Sequence, residues 1–231
     1  VAIYAIGDLH LSQNQSKPMD IFGPQWVDHP ERLEKNWLSL VKESDLVIVA
    51  GDISWAMHLP EALDDLNWLD KMPGSKILIR GNHDYWWSSV GKVRAVLPSS
   101  ISVLQNDSLN WSDWSICGTR GWICPGDEGF DNEYDQRIYL REIKRLEMSL
   151  KNAAENGSGK IIVALHFPPF NRKNQPNAFT EMLESYGVKK CVFGHIHDSG
   201  RDDIFQGLRN NVEYYFVAAD GIDFCPKLLV Q

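Results

Sequence analysis

Ala2-Ile3-Tyr4-Ala5-Ile6-Gly7-Asp8-Leu9-His10 starts as an apolar run and ends in a glycine, a carboxylate and an imidazole. The same grammar recurs four times. Leu46–Ala50 leads into Gly51-Asp52-Ile53-Ser54, and Lys76–Arg80 leads into Gly81-Asn82-His83-Asp84. Lys160–Leu165 runs into His166-Phe167-Pro168, and Cys191–Phe193 into Gly194-His195-Ile196-His197. Short apolar runs bounded by turn residues read as buried strands. Open α/β sheets place their ligand sites at the carboxyl ends of such strands. The five segments therefore predict one nitrogen-and-oxygen metal site assembled from five strand ends.

The donors fit that purpose. Asp8 and His10 are separated by one residue, so in extended backbone both point to the same side; His195 and His197 share the spacing. Asp52 offers two oxygens and could bridge two ions, Asn82 offers an amide oxygen, and His166 completes the set. Seven donors are too many for one tetrahedral zinc. The four cysteines, Cys117, Cys124, Cys191 and Cys225, lie outside these segments and form no CxxC pair. They read as reduced thiols, and an imidazole-and-oxygen site suits manganese, iron, zinc, cobalt or nickel.

Between the segments, strands alternate with helices. Pro30 opens a helix with Leu33, Trp37 and Leu40 on one face; Pro60 opens another, stopped by Pro73-Gly74; a shorter one covers Ser88–Val96. This βαβαβ order predicts a largely parallel sheet. Ile101–Leu104, Leu109–Trp111 and Trp114–Cys117 read as antiparallel strands. A long helix follows over Asn132–Asn156, with Tyr139, Ile143, Leu146 and Leu150 as its apolar face, Glu147 placed to pair with Lys151, and Gly157 ending it. A helix over Phe179–Tyr186 precedes the Cys191 strand, and Val212–Ala218 is a late strand. Leu11–His29, Gly121–Asp131 and Phe167–Asn177 remain irregular beside the proposed donors, which makes them candidates for a substrate-facing rim.

A chain of 231 residues with 43% hydrophobic residues suits one α/β domain over 1–231. Its net charge of -8 offers no attraction to nucleic acid polymer or an anionic membrane surface. No run approaches membrane-spanning length, and Ala2–Ile6 is too short for a signal-peptide core. The expected setting is the cytoplasm.

The ordered set D-x-H, G-D, G-N-H-D, H and G-H-x-H, running from Asp8 to His197, resembles the calcineurin-like metallophosphoesterase family. The resemblance implies an αββα sandwich of two mixed sheets flanked by helices. It implies two divalent ions, one on Asp8, His10, Asp52 and His197, the other on Asp52, Asn82, His166 and His195. It implies hydrolysis of a small phosphodiester or phosphomonoester by in-line attack of a metal-bridging hydroxide. His83 would assist the leaving group, and Asp84 would orient its ring. Two divalent ions carry four positive charges, of which Asp8 and Asp52 neutralise about half; the remaining field suits a phosphoryl transition state.

Other residues carry two readings each. Arg120 could grip a phosphate oxygen or serve a structural ion pair. His58 could line the substrate pocket or be an ordinary loop histidine, and His29 reads as helix-start surface. Asp198 could be an acceptor behind the metal or a plain loop carboxylate. Tyr85, Trp86 and Trp87 read as core, with Tyr85 close enough to the site to be either. A nuclease or protein phosphatase of the same family competes with the small-ester reading. So does a non-catalytic scaffold on the same fold, although such a scaffold would be expected to lose donors, and this chain keeps them all.

Overall fold

The computed structural model describes residues 1–13, 17–156, 159–197 and 204–231. They form two compact units, Val1–Val103 with Val217–Gln231, and Leu104–Phe216. Each unit is one mixed sheet with its own helices.

In the first unit, strands β1 (Ile3–Ile6), β2 (Leu46–Val49), β3 (Ser75–Leu78) and β4 (Ile101–Val103) run parallel. The last strand of the chain, Lys227–Val230, pairs antiparallel to β1 at the sheet edge. Helices α1 (His29–Leu40) and α2 (Leu59–Asp70) are the connections the prolines announced, and α3 (Val90–Arg94) is a short third. Leu33 and Trp37 of α1 and Leu66 and Leu69 of α2 bury against Ile6, Val47 and Val49 in one apolar core. β2 is buried along its whole length, as a parallel strand covered on both faces must be. Ile101–Val103 corrects one expectation: it is the parallel edge strand of this sheet and pairs with β3. The α3 crossover between them is what permits a parallel return.

In the second unit, β5 (Ser108–Trp111) and β6 (Trp114–Thr119) form the expected antiparallel hairpin. β6, β7 (Lys160–Leu165), β8 (Lys190–Phe193) and β10 (Val212–Phe216) are parallel, and β9 (Gly207–Arg209) closes the edge antiparallel to β10. The final strand of the first unit is therefore β11. Helix α4 (Tyr134–Asn156) packs on β5 and β6, and α5 (Ala178–Ser185) packs on α4. The buried stripe of α4 runs through Tyr139, Glu142, Leu146, Ser149 and Leu150, whereas Ile143 is only half-buried. Lys151 pairs with Glu147 at 2.7 Å, as its spacing predicts. Gly157, expected to end α4, lies outside the described residues. Among those described, no helix is long and apolar enough to cross a membrane.

Candidate metal centre

The donors of the first unit stand where β1 and β2 continue their pairing into loops. Asp8 N donates to Gly51 O at 2.9 Å, His10 N to Asp52 O at 3.0 Å, and Leu11 N to Ile53 O at 2.9 Å. The strand ladder thus zips the two loops together beyond the regular strands. Asp8 (φ 56°), His10 (φ 47°) and Asp52 (φ 51°) all adopt left-handed backbone. The structure brings the Asp8 and His10 side chains together by this means, not through the extended backbone expected. Left-handed conformation costs a non-glycine residue about 1–3 kcal/mol and collects at functional sites. Asp8 offers a ligand atom within 4.8 Å of one from His10 and of one from Asp52. His10 Nε2 lies 3.8 Å from Asp52 Oδ2. All three side chains are buried. Two carboxylates and an imidazole converging out of solvent form a hard-donor set, the chemistry a divalent ion neutralises.

Gly81 is the hinge of the next loop. A Cβ there would stand 2.0 Å from Asp52 Oδ1 and 2.3 Å from Asp52 N, so no side chain fits. His83 N donates to Asp52 Oδ1 at 2.8 Å, which fixes one carboxylate oxygen. Asn82, half-buried, lies between these two residues.

Asp84 corrects the expectation that it orients His83. Its Oδ2 accepts from Asp52 N (2.9 Å) and Gly81 N (2.7 Å). Its Oδ1 accepts from Ile53 N (2.8 Å), Ser54 N (3.2 Å) and Trp86 Nε1 (2.9 Å). The fully buried carboxylate is the knot that ties the Asp52 loop to the Asn82 loop. Burial first, and the Asp52 charge second, push its pKa up, against the pull of the backbone N–H donors.

The His83 ring is instead held by aromatics. Trp55 packs against it at 4.8 Å between centroids, and Tyr85 meets it edge-on at 6.1 Å. Trp55 also stacks on His10 at 4.9 Å and 24°. His83 Nδ1 is buried and makes no hydrogen bond among the described residues. Trp55, three residues after Asp52, thus contacts both imidazoles, a contact that the sequence does not announce. Asp65 of α2 supports the same region. It accepts from Gln13 N at 2.8 Å and from Ser54 Oγ, anchoring both loops from behind.

In the second unit, His166 N and Phe167 N both donate to Arg120 O at 3.0 Å, and Gly194 N donates to His166 O at 3.0 Å. The β6-β7-β8 ladder thereby continues past its strands and holds His166 beside His195. His195 Nδ1 faces His166 Nε2 at 3.2 Å, and His195 is again left-handed (φ 75°). Phe167 packs on the His195 ring at 3.9 Å and 35°. Two imidazole nitrogens so close either share a proton or point their lone pairs at one cation. His197 follows two residues on and is half-buried. Asp198 lies outside the described residues.

The remaining candidates have structural partners. Arg120 stacks on Trp122 at 4.5 Å and lies 3.7 Å from Glu142. Glu142 is fully buried, accepting from Thr119 Oγ1 at 2.5 Å and Arg145 Nη1 at 2.8 Å. Glu142→Ala would strand these partners and should cost about 3 kcal/mol, lowering the melting temperature by roughly 6–12 °C in circular-dichroism melts. An unchanged melting temperature would remove the ion-pair role. His58 is exposed and opens α2, its N–H held by Glu61 at 3.2 Å. His29, expected at the surface, is buried against Trp26 and Phe224, and burial lowers its pKa. Trp86 and Trp87 are core, while Tyr85 is exposed. All four cysteines are free thiols.

Known proteins give this geometry its context. The family model of the calcineurin-like phosphoesterases matches residues 1–199. The Gene 66 protein of Mycobacterium phage D29 is 37% identical over 83 residues, 36% of this chain and 40% of that protein. Its counterpart in Mycobacterium phage L5 is 34% identical over 77 residues, 33% of this chain and 37% of that protein. The alignments thus span two fifths or less of those relatives. A solved structure, the phosphopantetheinyl hydrolase PptH of Mycobacterium tuberculosis, superposes with a TM-score of 0.60 at 14% identity, covering 99% of this chain and 95% of that one. With two mixed α/β sheets, five motifs in order and buried candidate ligands for metal, this chain belongs to the calcineurin-like phosphoesterase family, the metal-dependent hydrolases of phosphate esters.

Proposed function

We propose that this chain, read as a single domain, holds a dinuclear metal centre that hydrolyses a small phosphate ester in the cytoplasm. The observation that carries this reading is the buried convergence of Asp8, His10 and Asp52 on strained backbone in a chain of this family. Asp8, His10, Asp52, Asn82, His166, His195 and His197 would hold two divalent ions, manganese, iron, zinc, cobalt or nickel. Ions bound there supply Lewis acidity to the phosphate and lower the pKa of water. Asp52, with one oxygen fixed by His83 N, would be the ligand that both ions share. His83, packed between Trp55 and Tyr85, donates a proton to the departing oxygen. Asp84 is a positioning residue that holds both loops. Free thiols agree with a reducing compartment.

A diester is preferred to a monoester, since a chain with net charge -8 admits the less charged substrate more readily. Long DNA should be a poor substrate for the same reason. Arg120, engaged with Glu142 and Trp122, acts in structure in this reading. The similarity in fold to a phosphopantetheinyl hydrolase makes a phosphopantetheinyl ester one compound to assay.

The deciding experiment strips the metals, restores manganese, and assays phosphate monoesters, diesters, nucleotides and long DNA. Turnover of small diesters above monoesters is expected, with DNA nearly inert. No turnover with any divalent metal would leave a scaffold on this fold. Efficient DNA cleavage would favour a nuclease.

His83→Ala should keep both metals yet lose roughly 10²- to 10⁴-fold in rate on esters with poor leaving groups. The loss should be smaller with nitrophenolate, which needs little protonation. Equal losses on both would assign His83 to electrostatic stabilisation and not to proton donation.

A further inference from the structure

The second unit contains a cavity of about 250 Å³ that includes His195 in its wall. That is below the ~300–1,000 Å³ that encloses a whole drug-sized molecule, so the space suits one group of a substrate. Its walls come from two of the irregular segments, Gly121–Asp131 and Phe167–Asn177, with Ile196, Ile204 and Phe205. Ile123, Phe167, Pro168, Phe170 and Phe205 make it largely apolar.

The pocket is pre-built. Asn171 Nδ2 donates to Pro125 O at 3.0 Å, and Arg172 N donates to Asp127 Oδ1 at 2.6 Å, stapling the two segments together. Asn177 Nδ2 donates to Pro169 O at 2.8 Å. Phe170 packs on both Phe205 (5.4 Å) and Tyr214 (4.6 Å), which also meet each other at 5.9 Å. A rim so tied needs little ordering when a ligand enters, which keeps the entropic cost of binding low.

Its charge decides what enters. Among the described residues of the lining, two carboxylates, Asp127 and Glu128, are set against one guanidinium, Arg172. A second phosphate would meet net negative charge and an apolar surface that cannot solvate it. An aromatic or aliphatic group loses nothing there.

We propose that this cavity receives an uncharged apolar or aromatic ester group of the substrate while the phosphate rests at the His195 side. The proposal builds on the reading of His195 as a metal donor of a hydrolytic centre, and it names the substrate class as an amphipathic phosphate ester.

The test is calorimetric binding of benzylphosphonate and methylphosphonate to the manganese-loaded protein. Both carry one phosphonate and differ only in the organic group. The benzyl compound should bind roughly tenfold or more tightly, the scale on which apolar pockets discriminate. Phe205→Ala and Ile123→Ala should each reduce that ratio; Ile123 is half-buried, so its truncation tests the pocket even where loss of Phe205 disturbs packing. Equal affinities, no binding of either compound, or a ratio that survives both truncations would overturn the proposal. Hydrolysis of bis(p-nitrophenyl) phosphate is measured separately. Turnover without benzyl preference sinks the pocket alone, whereas benzyl preference without turnover sinks the hydrolytic reading alone.

Discussion

Asp84→Ala should be the most damaging single substitution outside the donors themselves. It deletes the acceptor of five hydrogen bonds, four from backbone N–H groups and one from Trp86 Nε1. Each buried donor left unsatisfied costs about 1–3 kcal/mol. Even with water admitted to the gap, a loss of about 4 kcal/mol is expected, against a total stability of roughly 5–15 kcal/mol. The melting temperature should fall by about 8–16 °C. The Asp52 loop would come loose with it, so metal affinity should fall even in the folded fraction. Asp84→Asn should be nearly as harmful, because its NH₂ must face an N–H. Thermal melts and metal titration of both variants check this. A variant that melts like the parent and binds metal normally would show that the loops do not depend on this knot.

Asp52→Asn should abolish hydrolysis for a different reason. As the proposed shared ligand, Asp52 is the residue whose charge both ions need. The amide keeps an oxygen for His83 N, so folding should survive. Fewer than two metals per chain are expected by elemental analysis, with a rate loss of 10³-fold or more, an order-of-magnitude expectation from metal-ion catalysis. Two tightly bound ions in this variant would exclude the bridging assignment. Gly81→Ala should also lose activity but, unlike Asp52→Asn, should lower the melting temperature as well, since the added Cβ collides with Asp52 backbone as well as side chain.

The strand ends that carry the donors were legible because each follows an apolar run closed by turn residues, and both the parallel strands and the prolines opening α1 and α2 came out as read. Edge strands were harder. β9 is mostly exposed, and β11 buries only Leu229 among its four residues, so neither carries a strong hydrophobic pattern. Ile101–Val103 looked antiparallel because strand composition does not encode direction. Donor identities are local facts, but their partners are not. Asp84 takes hydrogen bonds from residues some thirty positions earlier, and Trp55 meets His83 only through the fold. The left-handed backbone at Asp8, His10, Asp52 and His195 had no glycine to advertise it. The burial of His29 against Trp26 and Phe224 is a tertiary event that its place before Pro30 does not encode.

Titrating the stripped protein with manganese, while following both bound metal and hydrolysis of bis(p-nitrophenyl) phosphate, addresses the central claim most directly. A dinuclear centre predicts two ions bound per chain and activity that appears only as the second site fills. Saturation at a single ion with full activity, or turnover that persists without metal, would contradict it.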